Sequence, residues 1–325
     1  MLFARLFSVF AKVHLVPCAL LVTLVALGVA ISQWPSEGAA IPHYGGSTMF
    51  SGLLVLDKFG LYFRIFLLAF LALSLTLSLL TGIPDREDSA DYATLLLGGT
   101  LGMMTMASAN HLLMAFIAVE MASVPSYALA GFLKGRRQGS EAALKYVVYG
   151  ASASGVMLYG ISLLAGTYGT GSLPLLAEAV GVARGDLPLP VIAGVLFVIV
   201  GLGFKLSAVP FHFWCPDVFA GAAAEVAAFL SIASKAAALA LSTRFLLALT
   251  GTSGHGHSYE TASMLGLGWA IFATLTTTFG NIAALAQTNV KRLLAYSTIA
   301  HMGFILLAVA SGVVAFQTHG VVYAY

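Results

Sequence analysis

Charged residues are scarce in this chain of 325 residues, because Asp, Glu, Lys and Arg together make up only 9% of it. A soluble domain carries about 25% charged residues, which keep its surface in water. Hydrophobic residues account for 59% of the sequence and the mean hydropathy is +0.95. This composition excludes a soluble globular protein, and the net charge of +2 gives no indication of nucleic-acid binding.

Cysteine is nearly absent as well. Cys18 and Cys215 are far apart in sequence, and neither belongs to a CxxC or Cys/His pattern. Their spacing disfavours a disulfide framework, a zinc site, an iron–sulfur cluster and covalently attached haem. No glycine-rich phosphate motif opens a helix after a strand, so no nucleotide site is indicated. The sequence therefore predicts a chain without a metal or a cofactor of its own.

What the chain does have is long apolar runs. About 20 apolar residues in a helix cross the hydrocarbon of a bilayer. Such runs predict nine membrane helices, at 14–33, 57–81, 92–108, 110–133, 142–168, 190–214, 222–249, 262–286 and 291–315. A possible tenth helix starts near His319. The predicted fold is all-α, a polytopic bundle of transmembrane helices.

Basic residues are distributed unequally between alternate loops. One side collects Arg5, Lys12, Arg86, Lys134, Arg136, Arg137, Lys145, Lys291 and Arg292, whereas the opposite loops contain Lys58 and Arg184. Loops rich in Lys and Arg remain in the cytoplasm. The N-terminus is therefore predicted to be cytoplasmic, in a multi-pass protein of the inner membrane.

Three ionisable residues lie well inside predicted helices: Glu120, Lys205 and Lys235. A charge at the centre of a bilayer costs a few kcal/mol, so each of these groups needs a partner, a water-filled cavity or a change of protonation state. A Glu with two Lys at similar depth predicts a proton relay, and the alternative is a buried ion pair that only holds helices together. Arg64 and Arg244 lie nearer helix ends, where long side chains are expected to reach the lipid headgroups.

A second tier of residues surrounds this set. His212 is predicted toward the cytoplasmic end of the Lys205 helix and His301 inside the helix at 291–315, and each is either a relay member or a hydrogen-bonded structural histidine. Gly201, Gly203 and Pro210 surround Lys205, which predicts a kinked or locally unwound helix. Unwound backbone at membrane depth is tolerated where it is buried in protein or lines a cavity.

Several blocks of sequence resemble one protein family closely. They are Ser108-Ala109-Asn110-His111-Leu112, Glu141-Ala142-Ala143-Leu144-Lys145-Tyr146, the stretch from Gly203 to Trp214, Pro216-Asp217-Val218-Phe219-Ala220-Gly221-Ala222, Gly280-Asn281 and the stretch from Gln287 to Ser297. Together they are similar to subunit N of bacterial NADH:quinone oxidoreductase, respiratory complex I, an antiporter-like proton-translocating subunit. The resemblance runs from about residue 40 to the end of the sequence.

The resemblance implies an antiporter-like fold of inverted five-helix repeats, each with a broken helix. It implies N-terminal helices in 1–91, a complete first repeat in 92–249 and the start of a second in 262–325. By the same alignment Glu120 pairs with Lys205, Lys235 leads to the next half-channel, and Lys145 lies at the cytoplasmic entrance. Lys205, Lys235 and Glu120 then form the relay of a translocase subunit. NADH, FMN, iron–sulfur clusters and quinone are expected in partner subunits, and the expected partners are neighbouring antiporter-like subunits and lipid.

The sequence departs from the family pattern in two ways. The first family helix and the second broken helix are missing, which implies a truncated or partial sequence or a split gene. Prolines usual in the family are replaced by Ala223 and Glu225. Glu225 either collects protons or stabilises a helix N-terminus, and its place near a helix start favours the second interpretation. Two other functions stay open: a subunit of a multisubunit sodium/proton antiporter, and a membrane scaffold in which the charges only lock helices together.

Overall fold

The computed structural model describes residues 15–34, 47–82, 88–133, 135–182, 188–250 and 257–319. Within these ranges the chain is an all-helical bundle with one short hairpin, which confirms the predicted fold class. The helices are α1 (Val16–Ser32), α2 (Lys58–Thr81), α3 (Ser89–Ser108), α4 (Leu112–Ala130), α5 (Arg137–Tyr168), α6 (Leu173–Val182), α7 (Leu189–Leu206), α8 (Trp214–Gly221), α9 (Ala224–Phe229), α10 (Lys235–Leu249), α11 (His257–Leu285) and α12 (Val290–His319). The strands are β1 (Ser47–Met49) and β2 (Leu54–Leu56).

Six stretches among the described residues are long and apolar enough to cross a membrane. They are Lys58–Thr81, Leu112–Ala130, Arg137–Tyr168, Leu189–Leu206, Ala224–Leu249 and Val290–Ala315. The apolar helix α1 is shorter, at 17 residues. Large apolar side chains such as Leu80, Leu189 and Leu285 point outward, as expected for a surface in contact with lipid. The predicted tenth helix lies beyond residue 319 and outside the described residues.

The bundle has two distinct ends. At the basic end, α5 and α12 begin and α8 meets α9, and the charged residues Lys145, Asp217 and Arg292 are in contact there. At the hairpin end, β1 and β2 form an antiparallel pair in which Thr48 faces Val55. The sequence predicts a group of nine basic loop residues on one side of the membrane. The members of that group that the structure describes are consistent with a place at the basic end. Four members of the group lie outside the described residues: Arg5, Lys12, Arg86 and Lys134. Arg184, from the opposite loops, lies outside them as well.

Two elements of the hairpin end were absent from the predictions. Leu54 of β2 forms a bridge with Ala109, and the amide of Asn110 donates to the Gly52 carbonyl over 3.1 Å. The short helix α6 follows α5 in a stretch that had been read as a loop. It packs against α10, so it extends the buried core beyond the long helices.

The helix predicted at 190–214 is broken, as its glycines and proline indicated. Helix α7 ends at Leu206, because Ser207 takes the left-handed conformation with a φ of 55°. The chain then turns through residues 207–213 and resumes as α8 at Trp214. The indole nitrogen of Trp214 donates to the Phe204 carbonyl over 2.9 Å, which satisfies one of the acceptors that the break leaves free.

The helix predicted at 222–249 is continuous but irregular. Helices α9 and α10 are joined by a π-helical segment at Leu230–Ser234. Lys235 is the first residue after this segment. Such wide turns inside helices occur frequently at functional sites. Both lysines of the predicted relay therefore lie beside an interruption of regular helix.

Candidate functional site

Glu120 lies in the middle of α4 and is partly buried. Its Oε1 accepts a hydrogen bond from the hydroxyl of Ser154 on α5. Among the described residues it forms no ion pair, so the direct pairing with Lys205 that the family resemblance implied is absent from this arrangement. The Lys205 ammonium nevertheless lies within electrostatic range of the carboxylate. Ser154 was not predicted, and its hydroxyl holds the carboxylate toward the interior.

Lys205 lies in the last turn of α7 and its side chain is only 2% exposed. Its Nζ is 5.5 Å from the ring centre of Tyr127 and 5.8 Å from that of Tyr146. Cations over aromatic faces are attracted by the ring quadrupole. The C-terminal end of a helix also favours positive charge. These two contributions and Glu120 oppose the cost of burying the ammonium group.

The aromatic residues around Lys205 form a fixed framework. The ring of Trp214 stacks on Tyr146 at 4.3 Å, with the two planes 8° apart. Tyr127 meets Tyr146 edge to face at 4.7 Å. A Cβ atom at Gly150 would lie 2.0 Å from the Tyr127 hydroxyl, so only glycine leaves room for this ring. The composition alone does not distinguish Tyr127 and Tyr146, which contact the lysine, from aromatic residues that only pack or face lipid.

Lys235 is 1% exposed, and its Nζ has no hydrogen-bond partner in the described part of the chain. The ring of Phe219 lies 5.9 Å from this nitrogen, and the Cys215 thiol is within electrostatic range. Lys235 also lines a cleft of about 680 Å³ between α2, α10 and α12. Hydroxyls of Ser231, Ser297 and Thr298 lie in the lining of the same cleft. A buried ammonium without a partner is costly, and the Lys235 nitrogen itself is closed off from the space of the cleft.

The two predicted histidines lie in different surroundings. His212 is not on a helix, which corrects its expected position, but in the turn between α7 and α8. It is 3% exposed, its Nδ1 has no partner among the described residues, and its ring packs at 4.6 Å from Phe279 of α11. His301 lies on α12, exposed on the wall of the Lys235 cleft. The structure therefore brings His301 to Lys235 and sets His212 beside the broken helix.

Lys145 belongs to a charged cluster at the basic end. Its Nζ is 2.7 Å from Asp217 Oδ2 and 2.9 Å from Glu141 Oε1. The other oxygen of Asp217 accepts from Arg292 at 2.5 Å. Next to this cluster, Lys291 Nζ donates to the Ala222 carbonyl over 2.8 Å. Asp217 thus joins α5, α8 and α12, a role that sequence spacing alone did not indicate.

The prediction that Arg244 reaches the lipid headgroups is wrong. Its guanidinium is 2.6 Å from Asp57 Oδ1, its Nε donates to the Ala107 carbonyl over 2.7 Å, and it packs 5.1 Å from the Phe59 ring. Asp57 was not considered as a partner because the two residues are far apart in sequence. Arg64 is likewise turned inward, since its guanidinium donates to the Ser108 hydroxyl over 3.3 Å. Both arginines therefore tie helices together at the hairpin end.

The described part of the arrangement contains several protonatable groups. Among the residues that the structure describes, no cluster of three His, Cys, Asp or Glu side chains occurs. Glu120 has a serine hydroxyl as its neighbour, Lys205 lies beside aromatic rings, and Lys235 lines a cleft. Groups of this kind exchange protons with water or with one another.

Comparisons with known proteins identify the family and the fold of the chain. The family model described as "NADH:quinone oxidoreductase/Mrp antiporter, TM" matches residues 109–325. NADH-quinone oxidoreductase subunit N of Anaeromyxobacter sp. (strain Fw109-5) is 40% identical over 93% of the chain. The chain spans only 59% of the length of that relative.

Two solved structures have a similar fold. A chain of respiratory complex I from Thermus thermophilus matches with a TM-score of 0.72 and 33% identity, covering 92% of this chain and 59% of that one. A chain of the Mrp complex from Dietzia sp. DQ12-45-1b matches with a TM-score of 0.78 and 21% identity, covering 95% of this chain and 56% of that one. At that identity the second likeness concerns the fold alone.

Proposed function

This chain belongs to the NADH:quinone oxidoreductase/Mrp antiporter transmembrane family, and from that premise we propose that it moves protons through a bilayer as a subunit of NADH:quinone oxidoreductase. Electron transfer from NADH to quinone would take place in partner subunits, which would hold the FMN, the iron–sulfur clusters and the quinone. In this chain Glu120, Lys205 and Lys235 hold and pass the proton. The observation that carries the proposal is the near-complete burial of two lysines in an apolar bundle.

The mechanism follows from the surroundings of Lys205. Burial disfavours its ammonium, whereas Glu120, the aromatic faces and the end of α7 favour it. A movement of Glu120 toward or away from Lys205 therefore changes which protonation state is more stable. When Lys205 releases its proton, onward transfer to Lys235 requires water between the two lysines, and Lys235 lines the cleft that leads on to His301. Lys145 and His212 are the proposed uptake groups, and His301 lies on the onward side.

The predicted orientation and domain division belong to this proposal. With the N-terminus in the cytoplasm, the basic end faces that side, and uptake begins there. The division into residues 1–91, a first five-helix repeat at 92–249 and the start of a second at 262–325 is consistent with the break after Leu206 lying inside the first repeat. Neighbouring antiporter-like subunits and lipid are the proposed partners.

The experiment replaces Lys205 by Ala in the complex that carries this chain. Proton transport into membrane vesicles is expected to fall by about 10² or more, because a positioned acid–base group contributes that much. Native gels check assembly, and Lys58→Ala, at the first residue of α2, is the matched control. Normal pumping with Lys205→Ala contradicts the proposal, and loss of assembly together with pumping favours the scaffold reading.

A sodium/proton antiporter subunit is the second candidate, because the family model that matches residues 109–325 also covers the Mrp antiporter. The two functions differ in the ion. Transport that depends on sodium and proceeds without NADH favours the antiporter, whereas transport that requires NADH oxidation in the same membranes favours the respiratory complex. Co-purification of the chain with peripheral redox subunits separates the two in the same preparation.

A further inference from the structure

Glu225 is a buried acid that the relay does not use. It lies in the first turn of α9, is 4% exposed, and its Oε2 is enclosed without a hydrogen-bond partner in the described part of the chain. An ionised carboxylate that is buried and unpaired is expensive, and proteins reduce that cost by protonating it. The enclosed oxygen of Glu225 therefore lies where a proton or a water molecule would lower that cost.

The helix N-terminus does not account for this geometry. A carboxylate that serves the helix accepts hydrogen bonds from the free N–H groups of the first turn. The cap residue of α9 is Ala223, with no side-chain cap, and Oε2 of Glu225 accepts from no described donor. The place of Glu225 in the first turn agrees with the interpretation that the sequence favoured, and the enclosed Oε2 is the feature that this interpretation leaves out.

The surroundings of Glu225 contain a pair of hydroxyl groups, from Tyr92 and Ser78. Its carboxylate interacts electrostatically with the Tyr92 hydroxyl, which lies 2.9 Å from the Ser78 hydroxyl. Helix α9 packs against α2, α4 and α8. The ionisable residues on those helices and on the first turn of α3 are Lys58, Tyr62, Arg64, Asp91, Tyr92, Glu120, Tyr127, Cys215 and Asp217. No described cation forms an ion pair with Glu225.

We propose that Glu225 is a proton-holding site at the basic end, from which protons pass toward the buried lysines. The inference rests on the proposed function, because it adds an entry group to that path. The carboxylate takes up a proton to become the neutral acid, and release of the same proton restores the carboxylate. Lys235 lies ten residues farther along the same helix, about 15 Å away at 1.5 Å per residue, so the transfer requires water.

Infrared difference spectroscopy on the assembled complex tests the site directly. The C=O stretching band of a protonated carboxylic acid is expected to appear as the pH falls and to be missing in Glu225→Gln. Glu178→Gln, which replaces an exposed carboxylate on α6, is the control and should keep the band. In vesicles, Glu225→Gln is expected to slow proton transport about tenfold, below the 10² to 10⁴ of a principal acid–base group, and Glu225→Asp should restore most of it.

Two spectroscopic results overturn the inference. A band absent at every pH means that Glu225 stays ionised, and a band that does not change with pH means that it stays protonated. Because the band is assigned by its change on substitution, Glu225→Asp, which keeps a carboxyl group and should shift the band, keeps the test available if Glu225→Gln fails to assemble. Titration of Glu225 together with normal pumping in Lys205→Ala supports the site and contradicts only the proposed function.

Discussion

Lys205 and Lys235 are both almost fully buried, yet the bundle treats them differently. Lys205 is enclosed by aromatic rings, ends a helix and has a carboxylate within electrostatic range. Lys235 follows a π-helical segment, lines a cleft and has no hydrogen-bond partner among the described residues. The surroundings of Lys205 therefore offset the cost of a buried ammonium better than those of Lys235 do. Under the proposed function, this difference between the two amines gives proton transfer its direction.

The strongest test of the difference removes the carboxylate. Glu120→Gln is expected to reduce proton transport about 10²-fold, because Lys205 loses the neighbour that changes its preferred protonation state. Pumping in vesicles, measured beside Glu178→Gln, checks this. A transport rate within twofold of that of the unsubstituted complex would show that Lys205 takes up and releases its proton with the rings and the helix end alone.

The next test disturbs the rings around Lys205. Gly150→Ala places a methyl group where the Tyr127 hydroxyl lies, so the ring or the helix must move. Overpacking of this kind costs about 3 kcal/mol at the upper end of its usual range. The free energy of unfolding of the purified chain in detergent measures the loss. Gly155→Ala, in open space on the same helix, should have no such effect.

A third test exploits the missing partner of Lys235. Lys235→Met removes a buried ammonium and keeps its volume, so the free energy of unfolding is expected to rise by about 2 kcal/mol. Lys205→Met should raise it by less, because the rings and Glu120 already offset the burial of that ammonium. The same detergent unfolding experiment compares the two. A larger gain for Lys205→Met would reverse the contrast between the sites.

The smallest effect is expected from the Tyr127 hydroxyl. This oxygen is buried without a hydrogen-bond partner in the described residues, while the ring itself faces Lys205. Tyr127→Phe should therefore change the free energy of unfolding by no more than about 0.5 kcal/mol. Tyr127→Leu, which removes the aromatic face, should lower transport. Equal transport in Phe and Leu variants would argue against a role for the ring.

Much of this arrangement could be predicted from local sequence. Long apolar runs fixed the existence of the helices, and Gly201, Gly203 and Pro210 indicated the break after Lys205. A charged residue inside an apolar run can be recognised from a short stretch of sequence. Glu120, Lys205 and Lys235 are therefore predicted from the sequence as ionisable groups inside membrane helices. The two lysines are buried and Glu120 is partly buried, and the roles of all three stay a proposal.

The missed features all depend on contacts between distant parts of the chain. Asp57 and Arg244 meet only after the bundle forms, as do Asp217 and Arg292. An arginine near a helix end fits the pattern for snorkelling whether or not it has a carboxylate partner, because the local sequence does not reveal a carboxylate on the other side of the bundle. The π-helical segment before Lys235 also leaves no signature in composition, since its residues suit an ordinary helix.

That segment has a geometric consequence for all residues after it. Each residue of an α-helix turns the chain by about 100°, so one surplus residue in a wide turn rotates everything beyond it by about that angle. Lys235 comes immediately after this segment. Deleting one residue of the segment, such as Ile232, would restore ordinary winding and rotate Lys235 by about 100° around the helix axis, with no change in the chemistry of any remaining side chain.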